Sequence, residues 1–249
     1  MPVHATIRAL VWVAALLAVA PARAASVTET FGAAATVAHG TPLGSCGQLT
    51  AALAGKGSIT IPGTGKAAVA SPAAADAALL YSSKPLPGGG YTVRVEVANI
   101  NYPKGTQENG VTLLAIANTK PLAATESWWS SFRMLGVEID VMPGSSNSYP
   151  LYINYWDKAN LYTWNGTSWG VGGAAWVPVL TFSPTATYSV EIVKASGSYT
   201  IRVLSGGATL AKATVTASKV RPATTEYMVT GDRLTNYFSG SMDLLSVTS

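Results

Sequence analysis

Residues 186–217 read ATYSVEIVKASGSYTIRVLSGGATLAKATVTA. Tyr188, Val190 and Ile192 alternate with Ser189 and Glu191, and Tyr199, Ile201 and Val203 alternate with Thr200 and Arg202. A period of two is that of a half-buried β-strand, whose side chains leave opposite faces in turn. The links ASGS (195–198) and SGGA (205–208) supply glycine where a tight hairpin turn needs positive φ. The stretch therefore predicts strands joined by hairpins.

The same grammar extends outward in both directions. Upstream lie LLYSSKPL (79–86), YTVRVEVANI (91–100), GVTLLAIAN (110–118), SFRMLGVEIDV (131–141), PLYINYWD (150–157) and NLYTWNG (160–166); downstream lie EYMVTGD (226–232) and SMDLLSVTS (241–249). β-branched and aromatic residues fill these segments, and Gly, Pro, Asn and Ser clusters part them. After residue 25 no window of about 12 residues has helical periodicity. The expectation is an all-β chain built as a two-sheet antiparallel sandwich or a barrel. Residues 26–75 are Ala-, Gly-, Thr- and Pro-rich and weakly patterned, with β-like pieces at 26–31 and 57–62. The GTGK at 63–66 is not a phosphate loop, since that motif needs Gly where Thr60 stands.

Residues 1–25 carry Arg8, the apolar run 9–20, Pro21 and the small-residue site Ala22-Arg23-Ala24. That is the pattern of a secretory signal peptide, with an apolar run too short to span a bilayer. The expected product is secreted, extracellular or periplasmic, with no membrane insertion after signal removal, and residues 26–249 form one domain. Removing Arg8 and Arg23 takes 16 basic residues to 14 against 12 acidic, a net of +2. No basic run neutralises phosphates, so nucleic acid is not the expected partner. Cys46 is the only cysteine, which excludes an internal disulfide, and the bland expectation for it is a buried thiol. His39 is the only histidine after cleavage, so neither a His-rich zinc site nor a Ser-His-Asp triad is expected.

A candidate site emerges from GVEIDVMPG (136–144). Val137, Ile139 and Val141 point one way, and Glu138 and Asp140 share the other face. In the next strand Tyr152, Asn154 and Trp156 alternate with Leu151, Ile153 and Tyr155. If the loop 143–150 makes the two strands neighbours, Glu138, Asp140, Tyr152, Asn154 and Trp156 line one face that water reaches. Trp128, Trp129, Trp156, Trp164, Trp169 and Trp176 all fall between residues 128 and 176. Flat rings beside carboxyls and amides suit a sugar, whose C–H face stacks on aromatics while its hydroxyls bond to polar groups. Core packing is the competing explanation, with even weight for Trp164 and Trp176.

Glu138-Ile139-Asp140-Val141-Met142, mid-chain on a strand and preceded by aromatics, resembles the active-site strand of the family 16 glycoside hydrolases, the laminarinases and lichenases. Residues 232–247 (DRLTNYFSGSMDLLSV) resemble the closing strand of the superfamily to which these belong, the concanavalin A-like lectins and glucanases. The resemblance implies a jelly-roll β-sandwich of two curved antiparallel sheets that binds polysaccharide or oligosaccharide on the concave sheet face. It implies that Glu138 is the nucleophile or base and Asp140 the assisting acid. The general acid of that motif would fall on Met142 or Pro143, and neither can donate a proton. A retaining glycosidase needs two carboxyls about 5 to 5.5 Å apart, and losing the acid costs about 10²- to 10⁴-fold in rate. Glu108, Glu126 or Asp157 would have to supply it.

Three functions follow. A lectin-like carbohydrate-binding protein would use Arg133, Tyr152, Asn154, Trp156, Trp128, Trp129 and Trp164. A glycan-cleaving enzyme, hydrolase or lyase, would take its acid from elsewhere; a lyase would rely on Tyr152, Asn154 and Arg133. A structural or adhesive surface protein would do neither. No cofactor is required, but the resemblance implies a structural calcium at Asp243, set against an acid simply solvated on an edge strand.

Overall fold

The computed structural model describes residues 26–43, 49–72, 76–101, 109–120, 133–141, 149–157, 160–171, 177–220, 225–232 and 238–248. Among them the strands are, in chain order, β1 (Ser26–Glu29), β2 (Ala35–Thr36), β3 (Pro42–Leu43), β4 (Leu49–Ala54), β5 (Ser58–Ile61), β6 (Ala67–Ser71), β7 (Ala77–Ser82), β8 (Tyr91–Asn101), β9 (Asn109–Ala117) and β10 (Arg133–Val141). There follow β11 (Tyr149–Asp157), β12 (Asn160–Trp164), β13 (Trp169–Val171), β14 (Leu180–Phe182), β15 (Tyr188–Ala195), β16 (Ser198–Ser205), β17 (Ala208–Thr216), the one-turn helix α1 (Ala217–Val220), β18 (Tyr227–Asp232) and β19 (Phe238–Thr248).

The strands form two antiparallel sheets. One has nine strands in the order β17-β16-β15-β8-β19-β6-β5-β2, with β1 also on β19; the other has ten in the order β13-β12-β11-β10-β9-β18-β7-β4-β3, with β14 also on β11. The meander 186–217 forms one end of the nine-stranded sheet. Its first hairpin closes at Ala195↔Ser198 and its second at Ser205↔Ala208. Gly206 and Gly207 have φ of 56° and 83°, both positive as a type I′ turn demands.

Between the sheets lies one apolar core. Val93 and Val95 of β8, Val190 and Ile192 of β15, and Ile201 and Val203 of β16 meet Val137 and Ile139 of β10 and Leu151 and Ile153 of β11 there. A second cluster, Ala52, Leu79, Ala115, Ala117, Met134 and Val229 with Tyr81 and Trp156 partly buried, lies on the far face of the ten-stranded sheet. The middle of that sheet is therefore buried on both faces. This accounts for β4, LTAALA, which carries apolar residues on both sides instead of alternating.

A β-bulge in β9 shapes the site. Val137 pairs with Leu114 but Glu138 with Thr112, and Val229 pairs with Ala115 but Gly231 with Thr112. One extra residue in β9 thus faces both neighbours, and Leu113 and Leu114 both enter the inter-sheet core. The bulge moves Thr112 onto the outer face beside Glu138. Thr230 Oγ1 donates to the Leu113 carbonyl at 2.5 Å, pairing a backbone oxygen at the bulge.

A polar clamp anchors the start of β18. Buried Glu226 accepts from Tyr91 Oη at 3.0 Å, from Lys194 Nζ at 2.6 Å and from Tyr199 Oη, while its carbonyl accepts from Leu86 N at 2.7 Å. Tyr91, Lys194 and Tyr199 come from three adjacent strands of the nine-stranded sheet, and Glu226 leads into the other sheet. Burial, then the Glu226 charge, drives the Tyr91 phenol pKa far above its usual range; burial and the Glu226 hydrogen bond do the same for Tyr199.

Candidate functional site

Strands β10 and β11 are antiparallel neighbours with Met134↔Trp156, Gly136↔Asn154 and Glu138↔Tyr152 in register. Directly opposed residues share a face. Glu138, Tyr152, Asn154 and Trp156 therefore lie together on the outer face of the ten-stranded sheet. The next pair outward, Asn154↔Thr163, adds Thr163 of β12 to that face, and the bulge adds Thr112.

The expectation that water reaches this face is corrected. Glu138 and Asn154 are 0% exposed and Tyr152 is 5% exposed, leaving Trp156 as the partly exposed member of the four. The apolar side chains of the second cluster, Met134, Ala115 and Ala117 among them, flank the polar row on this face. Glu138 Oε2 accepts from Asn154 Nδ2 at 2.8 Å and from Trp156 Nε1 at 3.2 Å, and Oε1 accepts from Thr112 Oγ1 at 3.3 Å. A buried acid held this way is an anchor for three side chains from its two neighbouring strands, β9 and β11. Gly136 bears on the same geometry. A Cβ there would stand 2.6 Å from Ala115 Cβ and 2.7 Å from the Leu114 carbonyl, closer than side chains pack.

Arg133 and Trp164 are not brought to this face. Arg133 shares the parity of Leu135 and Val137, so it points to the inter-sheet side, where its Nε donates to Asp157 Oδ1 at 2.9 Å. That bond raises the Arg133 pKa. Asp157 is spent on the same pair, on the face opposite Glu138, and does not confront it as a second carboxyl. Trp164 also turns inward, packing against the main core and lying 5.6 Å from the Trp169 ring. Both follow from alternation: Tyr155, Tyr162 and Trp164 share the inner parity of their strands.

Trp128, Trp129, Trp176, Glu108, Glu126, Cys46 and the leader 1–25 lie outside the described residues, as do the side chains of Asp140 and Asp243. His39 Nδ1 accepts from Leu53 N at 3.1 Å. Asp243 falls where β19 shifts register against β8, between Met242 and Leu244. Among the described residues there is no group of three or more His, Cys, Asp and Glu that could hold a metal ion. No helix among them is long and apolar enough to cross a membrane.

Thr112, Thr163 and Gly136 were not singled out by sequence. Thr163 was within reach of the alternation in NLYTW. Thr112 was not, because strict alternation from Ala115 sends it to the core and only the bulge reverses that.

No protein-family model matches the chain, and no curated protein does. Solved structures do. Peanut lectin superposes with a TM-score of 0.53 at 11% identity, covering 92% of this chain and 98% of that one. The lectin I of Ulex europaeus gives 0.53 at 11%, covering 91% and 98%, and a glycosyl hydrolase family protein of Mycobacterium fortuitum gives 0.52 at 12%, covering 89% and 98%. The chain has the concanavalin A-like fold. Within the concanavalin A-like sandwich the Glu138 row lies on the outer face of the larger sheet, and at these identities the likeness speaks for architecture alone.

Proposed function

We propose that the chain is a secreted, lectin-like carbohydrate-binding protein that takes a polysaccharide or oligosaccharide at the Trp156 rim of the ten-stranded sheet. The observation that carries this reading is the state of Glu138. It is closed to solvent, and Oε2 already accepts an amide and an indole N–H. A nucleophile must instead present a lone pair to the sugar. Glu138 fixes the Trp156 ring by its Nε1, and an edge-held, partly exposed indole is the stacking surface a sugar uses. The architecture is one that lectin and glycosyl hydrolase structures also have, and a saccharide ligand is in keeping with it.

The test is tryptophan fluorescence titrated with laminaripentaose, cellopentaose and a xyloglucan heptasaccharide, alongside an assay for reducing ends on the parent polysaccharides. The expected outcome is a saturable shift with one of them, lost in Trp156→Ala, and no reducing ends. Release of reducing ends that Glu138→Gln abolishes would establish the hydrolase instead.

A further inference from the structure

Two buried polar side-chain atoms on the outer face of the ten-stranded sheet have no hydrogen-bond partner: Asn154 Oδ1 and Thr163 Oγ1. They are neighbours. Asn154 and Thr163 are register partners across β11 and β12, so their side chains stand side by side. Asn154 is 0% and Thr163 1% exposed, in a setting where native folds leave few polar atoms unmatched.

The orientation of the Asn154 amide is set by its neighbours. Its Nδ2 donates to Glu138 Oε2, which also accepts from Trp156 Nε1, an atom that can only donate. Turning the amide over would set oxygen against that carboxyl. Oδ1 is thus an acceptor, and beside it Thr163 Oγ1 can both donate and accept. One hydroxyl group complements the pair, donating to Oδ1 and accepting from Oγ1. A carboxylate cannot donate to Oδ1, and an ammonium cannot accept from Oγ1.

We infer that Asn154 Oδ1 and Thr163 Oγ1 form a subsite for one hydroxyl group of a bound saccharide. The inference rests on the glycan-binding reading above and adds Thr163 as a residue that selects the ligand. Trp156 lies two residues along β11 from Asn154, about 7 Å at the rise of an extended strand. A sugar ring resting against that rim directs a substituent inward to the pair. Both atoms are closed to solvent in this structure, so the inference requires the Trp156 rim to shift when the saccharide binds, and the Trp156 emission reads that shift.

The experiment compares wild type, Thr163→Val and Thr163→Ser in the same three saccharide titrations, with urea unfolding of each. Thr163→Val keeps the shape and deletes the hydroxyl, and it is expected to weaken the saccharide that wild type binds by about tenfold. Thr163→Ser is expected to restore affinity. Equal affinity of Thr163→Val and wild type overturns the subsite. So does a Thr163→Val protein that loses stability but not affinity, because the pair then holds a structural water only. A wild type that responds to none of the three saccharides takes down the glycan reading itself, and this inference with it.

Discussion

Glu138 and Gly136 lie two residues apart on one face of β10, and each limits what the other allows. Glu138→Leu keeps much of the bulk but removes the acceptor of the Asn154 and Trp156 N–H groups, both fixed as donors. Leaving one such buried group unmatched costs about 1 to 3 kcal/mol. Urea unfolding should show that loss, and an unchanged midpoint would mean that Glu138 is not the anchor of the row. Gly136→Ala should lower stability by about 1 to 3 kcal/mol through overpacking, because the colliding atoms at 2.6 and 2.7 Å include a neighbouring strand's backbone. Side-chain alternation alone was enough to place Glu138, Tyr152, Asn154 and Trp156 on one face. It carried no information about what lies above that face, and so it missed the burial. Arg133 and Trp164 were read by chemistry when their parity already assigned them to the inner side.

At the level of elements, the bulge in β9 is what sequence periodicity could not deliver. GVTLLAIAN looks like an ordinary strand, and the inward turn of both Leu113 and Leu114 appears only when β10 and β18 pair with it. Thr230 is the partner that this irregularity recruits. Thr230→Val removes the hydroxyl that serves the Leu113 carbonyl, with an expected loss of about 1 to 3 kcal/mol. Thr230→Ser should recover part of it, and a Thr230→Val variant as stable as wild type would show that the bulge needs no such support. The meander β15–β16–β17 was legible throughout because its faces differ and its turns carry glycine. Much of residues 26–75 was not: β4 is apolar on both faces, and β2 and β3 are two residues each, too short to show any period.

For the molecule as a whole, the Glu226 clamp makes stability depend on pH at the alkaline end. In the unfolded chain Tyr91 and Tyr199 ionise near pH ~10, whereas in the fold both are held neutral well above that. Their contribution is therefore complete below about pH 10 and declines as pH rises further, by up to about 1.4 kcal/mol per pH unit for each phenol. Urea midpoints between pH 8 and 11 should fall for wild type and fall less steeply for Tyr199→Phe; parallel declines would show that the clamp does not set the slope. The order of strands carries a different consequence. β19 occupies an interior place in the nine-stranded sheet, with β8 on one side and β6 and β1 on the other, and Ser26 is matched with Thr248. Contacts of such sequence separation form late and slow folding. During synthesis the hairpins of 188–216 can assemble as soon as they emerge, but the sheet stays in two unjoined halves until Phe238–Thr248 arrives. Removing those eleven residues would not trim an edge: it would take out the seam.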